Sequence, residues 1–523
     1  MANRAAKIFL GLGAVAVVFA ALSYKPFELD RYFVPKEIVL HAVALIIAAT
    51  LVLRRRTISY DLVDALLALF LIWSAASAVF ATNHWLAQRA LGLSVSSALV
   101  FWGARRMAAE GSYRLLMAAV AVATVCAALT ALAQAYGLDT DYFSLNRAPG
   151  GTFGNRNSVA HIAAIGLPAL VWSTVTARRS IGALLGSIGG GFVGAALVMS
   201  RSRAGWLAVA ATVVVLALPV LASRKYWSTK VVGGRFARLL LAVAIGGILA
   251  TVLPNNLNWK SESPYLDSAR GMVNYKKGSG RGRVAQYQNS LNMAIANPVF
   301  GVGPGNWPVR YVRFAPRNDR SISDDGMTAN PWPSSDWVAY VSERGFVAAA
   351  ALLSVFALLF LGAFRGWRDL PDGDAVLVRL ALAGTIVAAM AVSAFDAVLL
   401  LAAPALLIWT VAGAASRPRR SERKLALSAG TWLVVAAVTI LIVGGSLARS
   451  VTQAMAMTTV GTGGHTAGWV KGAALDPGSY RINLKVAQLY ARRGRCGAAR
   501  EYAQKAGDLF PNAPAPKRVL RGC

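Results

Sequence analysis

The residues best suited to chemistry are arginines in the turns and loops between long apolar runs. Arg201 and Arg203 stand in one short turn, at residues 199–206. A guanidinium is a planar fork that binds two oxygens of a phosphate at once. Charges near membrane depth are costly and usually functional, although an arginine can also simply extend to the membrane interface. The pair therefore predicts a site for a lipid-linked phosphate or diphosphate.

Two more arginines stand where loops meet apolar runs. Arg156 ends a Gly- and Asn-rich loop at residues 146–157, which predicts either a capped helix start or an anion site at a helix N-terminus. Arg283 stands near the start of residues 281–345, a long polar interruption of an otherwise apolar chain. Irregular backbone in a membrane protein needs water or protein around it, and so long a loop is rarely a mere connector. We expect the chemistry to take place there.

A glycine phrase, Gly301-Val302-Gly303-Pro304-Gly305, lies in the middle of this stretch. No Gly-Lys-Ser/Thr follows it and no strand–helix unit surrounds it, so it does not indicate a nucleotide-binding loop. We expect a rigid turn that lets the backbone approach a ligand or a neighbouring helix.

These residues must be positioned by membrane helices. The chain has 523 residues, of which 56% are hydrophobic, and apolar runs of bilayer-spanning length recur along it. The runs are continuous rather than alternating, which excludes a transmembrane barrel. The first run could instead be a signal peptide. The sequence predicts an all-α polytopic membrane protein with roughly 12–13 transmembrane helices, near residues 7–23, 36–53, 60–81, 88–104, 114–136, 157–176, 181–199, 204–222, 236–253, 337–363, 376–395, 397–415 and 425–446.

The net charge of +31 at first suggests a nucleic-acid partner, but the distribution of the charge argues against it. If the N-terminus is cytoplasmic, the outward turns near residues 83–84 and 396 carry few cations, as the positive-inside rule requires. We therefore predict membrane lipids, and no nucleic acid, around this chain. The inward loops hold the clusters of Arg and Lys, at residues 54–56, 105–106, 178–179, 224–230, 365–368 and 417–424.

The chain divides into four predicted regions: transmembrane helices at 1–253, a large outward loop at 254–336, further transmembrane helices at 337–446 and a soluble tail at 447–523. The tail contains two helix-like runs rich in small residues and is similar to a tetratricopeptide repeat. Roughly one and a half repeats are fewer than such domains usually need. We expect this small α-helical domain to pack on the long loop or to bind a partner protein.

Together these features resemble the superfamily of bacterial O-antigen ligases and O-antigen polymerases, over about residues 60–415. The phrase with the glycines is the most specific of the shared motifs. The residues that carry the resemblance are Gly154-Asn155-Arg156-Asn157-Ser158, Ser202-Arg203-Ala204, Arg283 with Tyr287, the phrase from Asn297 to Asn306, and Glu343-Arg344-Gly345.

The resemblance implies a metal-independent glycosyltransferase without a cofactor, in the bacterial inner membrane, with a site that faces the periplasm. Members of the family move a glycan from undecaprenyl diphosphate to a hydroxyl of the lipid A core, of another repeat unit or of a protein. Arg203 and Arg283 are then the main candidates for binding the leaving diphosphate, and Arg201 and Arg156 assist them. Preorganised positive charge stabilises the negative charge that grows there in the transition state.

One position departs from the family pattern. Counting back from Glu343 and Gly345 places the family's His-Asn pair at Ser334 and Ser335, so the family's proposed catalytic base is absent. A serine cannot take a proton at neutral pH, and Asp336, the nearest carboxylate, is a weak base unless burial raises its pKa. Glu343 is as good a candidate for pairing with an arginine as for catalysis. The catalytic candidates are thus Asp336, Glu343 and Ser334, and no metal site is predicted.

Two other functions remain open. A polysaccharide transporter or flippase would also be polytopic and basic, but its spans would carry ionisable residues at mid-membrane and would repeat one another. The predicted spans are nearly free of charge away from their ends, and neither half of the chain repeats the other. The serine at position 334 also leaves open a degenerate, non-catalytic homologue. The sequence names neither the sugars nor the acceptor.

Cys496 and Cys523 both lie in the tail, which about thirteen spans place outside the cytoplasm. The periplasm is oxidising, and prolines at 511, 514 and 516 allow the chain to fold back. We predict a disulfide between the two cysteines, whose Cα atoms should then lie within about 7 Å of each other. Two free thiols, or pairing between chains, are the alternatives. Cys126 stands inside a span and is expected to be a small core residue.

The predicted topology can be tested by cysteine labelling. A Ser321→Cys variant should react with a membrane-impermeant maleimide in intact cells, because residue 321 lies in the large outward loop. A Ser228→Cys variant, in an inward loop, is the matched control and should react only after permeabilisation. Protection of the cysteine at position 321 in intact cells would reverse the topology.

Overall fold

The prediction of an all-α polytopic membrane protein is confirmed by the computed structural model. It describes the chain outside residues 1, 24–26, 28, 53–56, 145–146, 260, 272–277, 317–318, 320, 324, 368–369, 371, 417–422 and 464. The inward cations at 54–56 and at 417–420 therefore lie outside the described residues. Each predicted span coincides with an apolar helix.

The N-terminal half consists of nine apolar helices within the described residues. Their bounds are α1 Ala2–Phe19, α2 Asp30–Val52, α3 Leu62–Val79, α4 His84–Met107, α5 Tyr113–Ala135, α6 Arg156–Val175, α7 Ser180–Ser200, α8 Arg203–Trp227 and α9 Lys230–Val252.

Three short or polar helices, four apolar helices and four tail helices follow. Their bounds are α10 Pro264–Arg270, α11 Gly278–Ala296, α12 Trp307–Tyr311, α13 Asp336–Ala363, α14 Gly373–Ser393, α15 Ala402–Ala415, α16 Ala429–Gly463, α17 Thr466–Leu475, α18 Tyr480–Ala491, α19 Cys496–Leu509 and α20 Pro514–Gly522.

Ten helical stretches in the described part of the chain are long and apolar enough to cross a membrane. One of them, His84–Ala135, contains both α4 and α5. We describe these as two helices, because the backbone leaves helical geometry between them, at Glu110 and Gly111. The apolar helices Ala5–Phe19 and Ala402–Ala415 are shorter.

The predicted boundaries differ from the structure at the C-terminal end of the bundle. The span predicted at 397–415 becomes helical only at Ala402, because the amides of Val398 and Leu399 donate to the side chain of Asp336 rather than to carbonyls of a preceding helical turn. The span predicted at 425–446 continues as one helix to Gly463, and the C-terminal part of α16 packs with Val34 of α2. A short antiparallel pair, β1 (Thr57–Tyr60) with β2 (Arg423–Ala426), was not predicted.

Helices α3 and α4 are joined at the face that carries this strand pair. Asp61 caps α3 by accepting hydrogen bonds from the amides of Val63 (2.8 Å) and Asp64 (3.2 Å). Arg105 of α4 is bound by both carboxylates, at 2.6 Å to Asp61 and 3.0 Å to Asp64. This arginine, which the sequence explains by topology alone, therefore also fastens two helices together.

The opposite face, here called the loop face, carries residues 254–335 and the tail. The tail packs on the long loop, which was one of the two alternatives from the sequence. The Tyr480 hydroxyl donates to the carbonyl of Asp325 (2.6 Å), and Tyr480 packs with Phe510 and Val309 in one buried cluster. Asn83, before α4, donates to the carbonyl of Leu509 (3.3 Å). The assignment of the tail as a tetratricopeptide repeat stays a prediction.

Cys496 and Cys523 form a disulfide in the structure, with their Cα atoms 5.1 Å apart. This separation lies within the predicted limit. The bridge ties α20 back to the start of α19, while Cys126 is a free, half-buried thiol in α5.

Removal of the bridge should loosen the tail. A Cys523→Ser variant opens a loop of 27 residues, and the chain-entropy argument gives a loss of roughly 3 kcal/mol in the free energy of unfolding of the tail. Limited proteolysis should then cut the tail faster, whereas the control Cys126→Ser should not change the cleavage rate. Two alkylatable thiols in the tail of the unreduced wild-type protein would contradict the bridge.

Candidate functional site

The predicted arginines at the loop face are presented by the first turn of α6 and by the turn between α7 and α8. Asn155 caps α6, since its side chain accepts from the amide of Asn157 (3.0 Å), and Arg156 is the first helical residue. Ser202 caps α8 in the same way, by accepting from the amide of Gly205 (3.3 Å). Both loops thus end in capped helices whose N-termini point to the loop face.

Arg156 and Arg201 converge on one aromatic ring. Their guanidinium carbons lie 5.2 Å and 4.6 Å from the ring centre of Trp259, which comes from the long loop. Arg147 lines the same open cavity, which also contains polar side chains of Gln134 and of the segment 256–258. Three guanidiniums therefore surround a solvent-accessible space next to the N-terminus of α6, an arrangement suited to an anion. We call this space the arginine cavity.

The backbone at Arg201 is unusual. Its φ of 52° makes it the non-glycine residue with left-handed geometry in the described part of the chain. The conformation ends α7 and turns the side chain towards the long loop, where Nε donates to Ser268 Oγ (2.9 Å). Burial lowers the pKa of the Arg201 guanidinium and the nearby Asp267 opposes that shift. The guanidinium stays charged at neutral pH.

Arg203 and Arg283, the main diphosphate candidates from the sequence, do not line this cavity. Arg203 starts α8, and its guanidinium donates to the carbonyl of Gly271 in the long loop. Arg283 lies on α11, close enough to α6 for its charge to act on His161. The structure thus brings Arg156 and Arg201 together, with Arg203 and Arg283 on adjoining elements.

Glu343 holds the glycine phrase against α13. Its carboxylate is buried and accepts hydrogen bonds from the amides of Gly305 (2.8 Å) and Trp307 (3.1 Å). The predicted rigid turn therefore approaches a helix. The partners of Glu343 are backbone amides rather than the arginine that the sequence suggested as an alternative.

The same contact explains why α13 bends at Gly345. This residue has φ 77°, and a Cβ there would lie 2.1 Å from the carbonyl oxygen of Val299. The amide after the bend, that of Phe346, donates to the carbonyl of Pro298 (3.0 Å). Gly301 approaches equally closely from the other side, since its Cβ would lie 2.3 Å from the carbonyl carbon of Glu343.

Asp336 performs a similar function at the start of α13. Its buried carboxylate accepts from three consecutive amides, those of Val398 (2.9 Å), Leu399 (2.9 Å) and Leu400 (3.2 Å). These contacts hold the irregular segment before α15 in place. Because both oxygens are occupied, a positioning role suits Asp336 better than proton transfer. Its catalytic role stays an untested prediction.

Ser334, at the family's histidine position, is bound through its backbone. Its amide donates to Gln286 Oε1 (2.8 Å), and its carbonyl lies 2.6 Å from the hydroxyl of Tyr287. The Ser335 hydroxyl donates to the carbonyl of Ser393 at the end of α14 (2.9 Å). The end of the long loop is therefore fastened between α11 and α14.

Sequence reasoning did not identify Arg147 or Trp259 as part of the arginine cavity, and it also missed the pair of His161 and Asp396. His161 of α6 is 3% exposed, and its Nε2 lies 3.9 Å from a carboxylate oxygen of Asp396 in the turn after α14. The turn at Asp396 was noted only because it has few cations. No periodicity links two residues so far apart in the chain. The one available signal is a titratable residue inside an apolar run, which is costly and usually functional.

Among the residues that the structure describes, no group of three or more His, Cys, Asp or Glu side chains is arranged to hold a metal ion.

The fold and this site define a polytopic membrane protein with a cationic cavity beside a long loop. Residues 188–353 match the model of a protein family described as O-antigen ligase. The match runs from α7 into α13 and includes Arg201, Arg203, Arg283 and Glu343, and it supports the resemblance to the O-antigen ligase superfamily. It indicates a membrane glycosyltransferase of the ligase or polymerase type. No curated protein matches the chain.

The role of the bend at Gly345 can be tested by adding one methyl group. Gly345→Ala should lower thermal stability and release the glycine phrase, because the new Cβ meets backbone atoms and the positive φ is strained for alanine. Gly362→Ala on the same helix is the control, since a Cβ there has no atom within 4 Å. Equal melting temperatures for the two variants would contradict this role.

Proposed function

We propose that the protein transfers a glycan from a polyprenyl-diphosphate carrier to an acceptor hydroxyl, at the periplasmic face of the bacterial inner membrane. The observation that carries the proposal is the arginine cavity, where Arg147, Arg156 and Arg201 meet at the loop face. The family match over residues 188–353 supports this class of reaction.

The arginine cavity fits the diphosphate of the donor. A diphosphate at a membrane surface carries its charge near the interface, where guanidiniums from capped helix starts can reach it. In the transfer, the acceptor oxygen bonds to the anomeric carbon as the bond from that carbon to the diphosphate oxygen breaks. The negative charge on the departing diphosphate grows, so fixed guanidiniums lower the barrier without a metal.

Trp259 gives the cavity a defined shape. Its ring lies beside the guanidinium groups of Arg156 and Arg201, and such contacts keep arginine side chains ordered before a ligand arrives. Arg203 is also held in place, by its hydrogen bond to the carbonyl of Gly271. A preformed site loses less conformational entropy on binding.

The acceptor is proposed to enter through a second cavity on the loop face, which the tail covers. It is lined by α2, α4, α13, α16, the long loop and the tail, with Trp332 and Tyr480 as aromatic residues and Asp476 and Arg481 as polar ones. Aromatic faces beside charged groups suit a sugar. Burial raises the pKa of Asp476, and the positive charge of Arg449 partly offsets this rise.

The arginine cavity can be tested by alanine substitution. Arg156→Ala and Arg201→Ala should each lower kcat/KM for a synthetic undecaprenyl-diphosphate-linked glycan by about 10²-fold, the usual effect of removing one stabilising donor. Arg238→Ala is the control, because that arginine is exposed on α9 and bonds only within its own helix in the contacts described.

The assay should offer lipid A core and a second repeat unit as alternative acceptors. Unchanged rates in both arginine variants would refute the donor site. Donor movement across the bilayer without glycan transfer by the wild-type protein would favour a flippase, and neither activity would favour a non-catalytic homologue.

A further inference from the structure

The proposed transfer requires a group that takes the proton of the acceptor hydroxyl. Ser334 stands where the family has a histidine, and a serine cannot accept a proton at neutral pH. The two nearby carboxylates of α13 are both occupied by backbone amides, three at Asp336 and two at Glu343. A base from another element therefore suits the transfer better than either of these carboxylates.

Asp396 and His161 lie close to the position of the missing histidine. The hydroxyl of Tyr287 lies 2.6 Å from the carbonyl of Ser334 and 2.9 Å from that of Ala394. The end of the long loop and the turn after α14 are therefore held side by side. Asp396 follows Ala394 by two residues in this turn.

The two side chains differ in access. The carboxylate of Asp396 is 26% exposed and receives one described hydrogen bond, from the amide of Ala397 (2.9 Å). His161 is 3% exposed, and its Nε2 is buried without a hydrogen-bond partner in the described part of the chain. At 3.9 Å, Nε2 and the carboxylate oxygen are too far apart for a hydrogen bond but close enough to interact electrostatically.

A buried, unpaired imidazole nitrogen normally costs about 1–3 kcal/mol. Such a cost is tolerated at sites where the partner arrives with the substrate or where a proton is exchanged. The surroundings are polar rather than those of a plain core, because the hydroxyls of Tyr287 and Ser335 both bond to carbonyls at the end of α14, beside this pair.

We propose that Asp396, positioned by His161, is the general base of the transfer and replaces the histidine that this chain lacks. The inference rests on the proposed glycosyl transfer. The partly exposed carboxylate takes the proton of the acceptor hydroxyl as the oxygen bonds to the anomeric carbon. The electron pair of the broken carbon–oxygen bond leaves with the diphosphate. His161 orients the carboxylate through the electrostatic contact at Nε2, and the proton then passes to water.

The test uses the full-length protein in membranes with the lipid-linked donor and the acceptor that wild-type enzyme uses. Asp396→Asn keeps the shape and the oxygen that accepts from Ala397, but it cannot take a proton. Its kcat should fall by about 10²–10⁴-fold, with the KM for the donor unchanged. Asp319→Asn is the matched control, because that carboxylate bonds to Tyr311 and Ser321 within the long loop.

His161→Gln separates a positioning role from a structural one. This variant should lower kcat by about tenfold or more without raising the donor KM, and the double variant should be no slower than Asp396→Asn alone, as for residues that act as a unit. A near-wild-type kcat in either single variant, or losses that multiply in the double variant, would overturn the inference. Wild-type protein without transfer activity would overturn the proposed function and the inference together.

Discussion

Backbone that leaves helical geometry inside a membrane protein has no lipid partner for its amides, and each unpaired amide costs about 1–3 kcal/mol. In this protein two buried carboxylates on α13 meet that constraint. Asp336 accepts from the segment before α15, and Glu343 accepts from the glycine phrase. The loop, the start of α15 and the bend at Gly345 all depend on these five hydrogen bonds. One helix thus organises the whole loop face.

The same constraint distinguishes charged side chains that stabilise the backbone from charged side chains that can bind a ligand. Carboxylates whose oxygens are filled by amides hold backbone in place, whereas groups with open positions are free to meet a ligand. Arg156 and Arg201 border an open cavity, and Asp396 keeps part of its carboxylate exposed. On the opposite face, Arg105 is enclosed by Asp61 and Asp64. The pattern supports placing donor binding and proton transfer at the loop face.

The tail covers part of the loop face. Its helices are fastened to the long loop by Tyr480 and to the start of α4 by Asn83, and the disulfide closes its C-terminal end. A tail in this position forms a wall of the second cavity rather than an independent appendage. Substitutions in the tail are therefore expected to change the shape of the second cavity through their contacts with the long loop.

Sequence alone determined the membrane class, the helices, the arginines of the loop face and the cysteine pair. Apolar runs of bilayer length and clusters of cations in alternate loops are local signals, because the bilayer acts on each segment separately. The pattern also placed Glu343 and the glycine phrase in one motif, although it could not say that the carboxylate binds the phrase's amides.

Tertiary structure decided which charges are available. Asp336 looks like a free acid in the sequence, but its partners are amides that follow it by more than sixty positions. His161 and Asp396 lie on different helix ends and meet only because α6 packs beside α14. Trp259 likewise joins Arg156 to Arg201 from a distant loop. Such contacts depend on how helices pack, and local patterns of hydrophobicity carry no information about them.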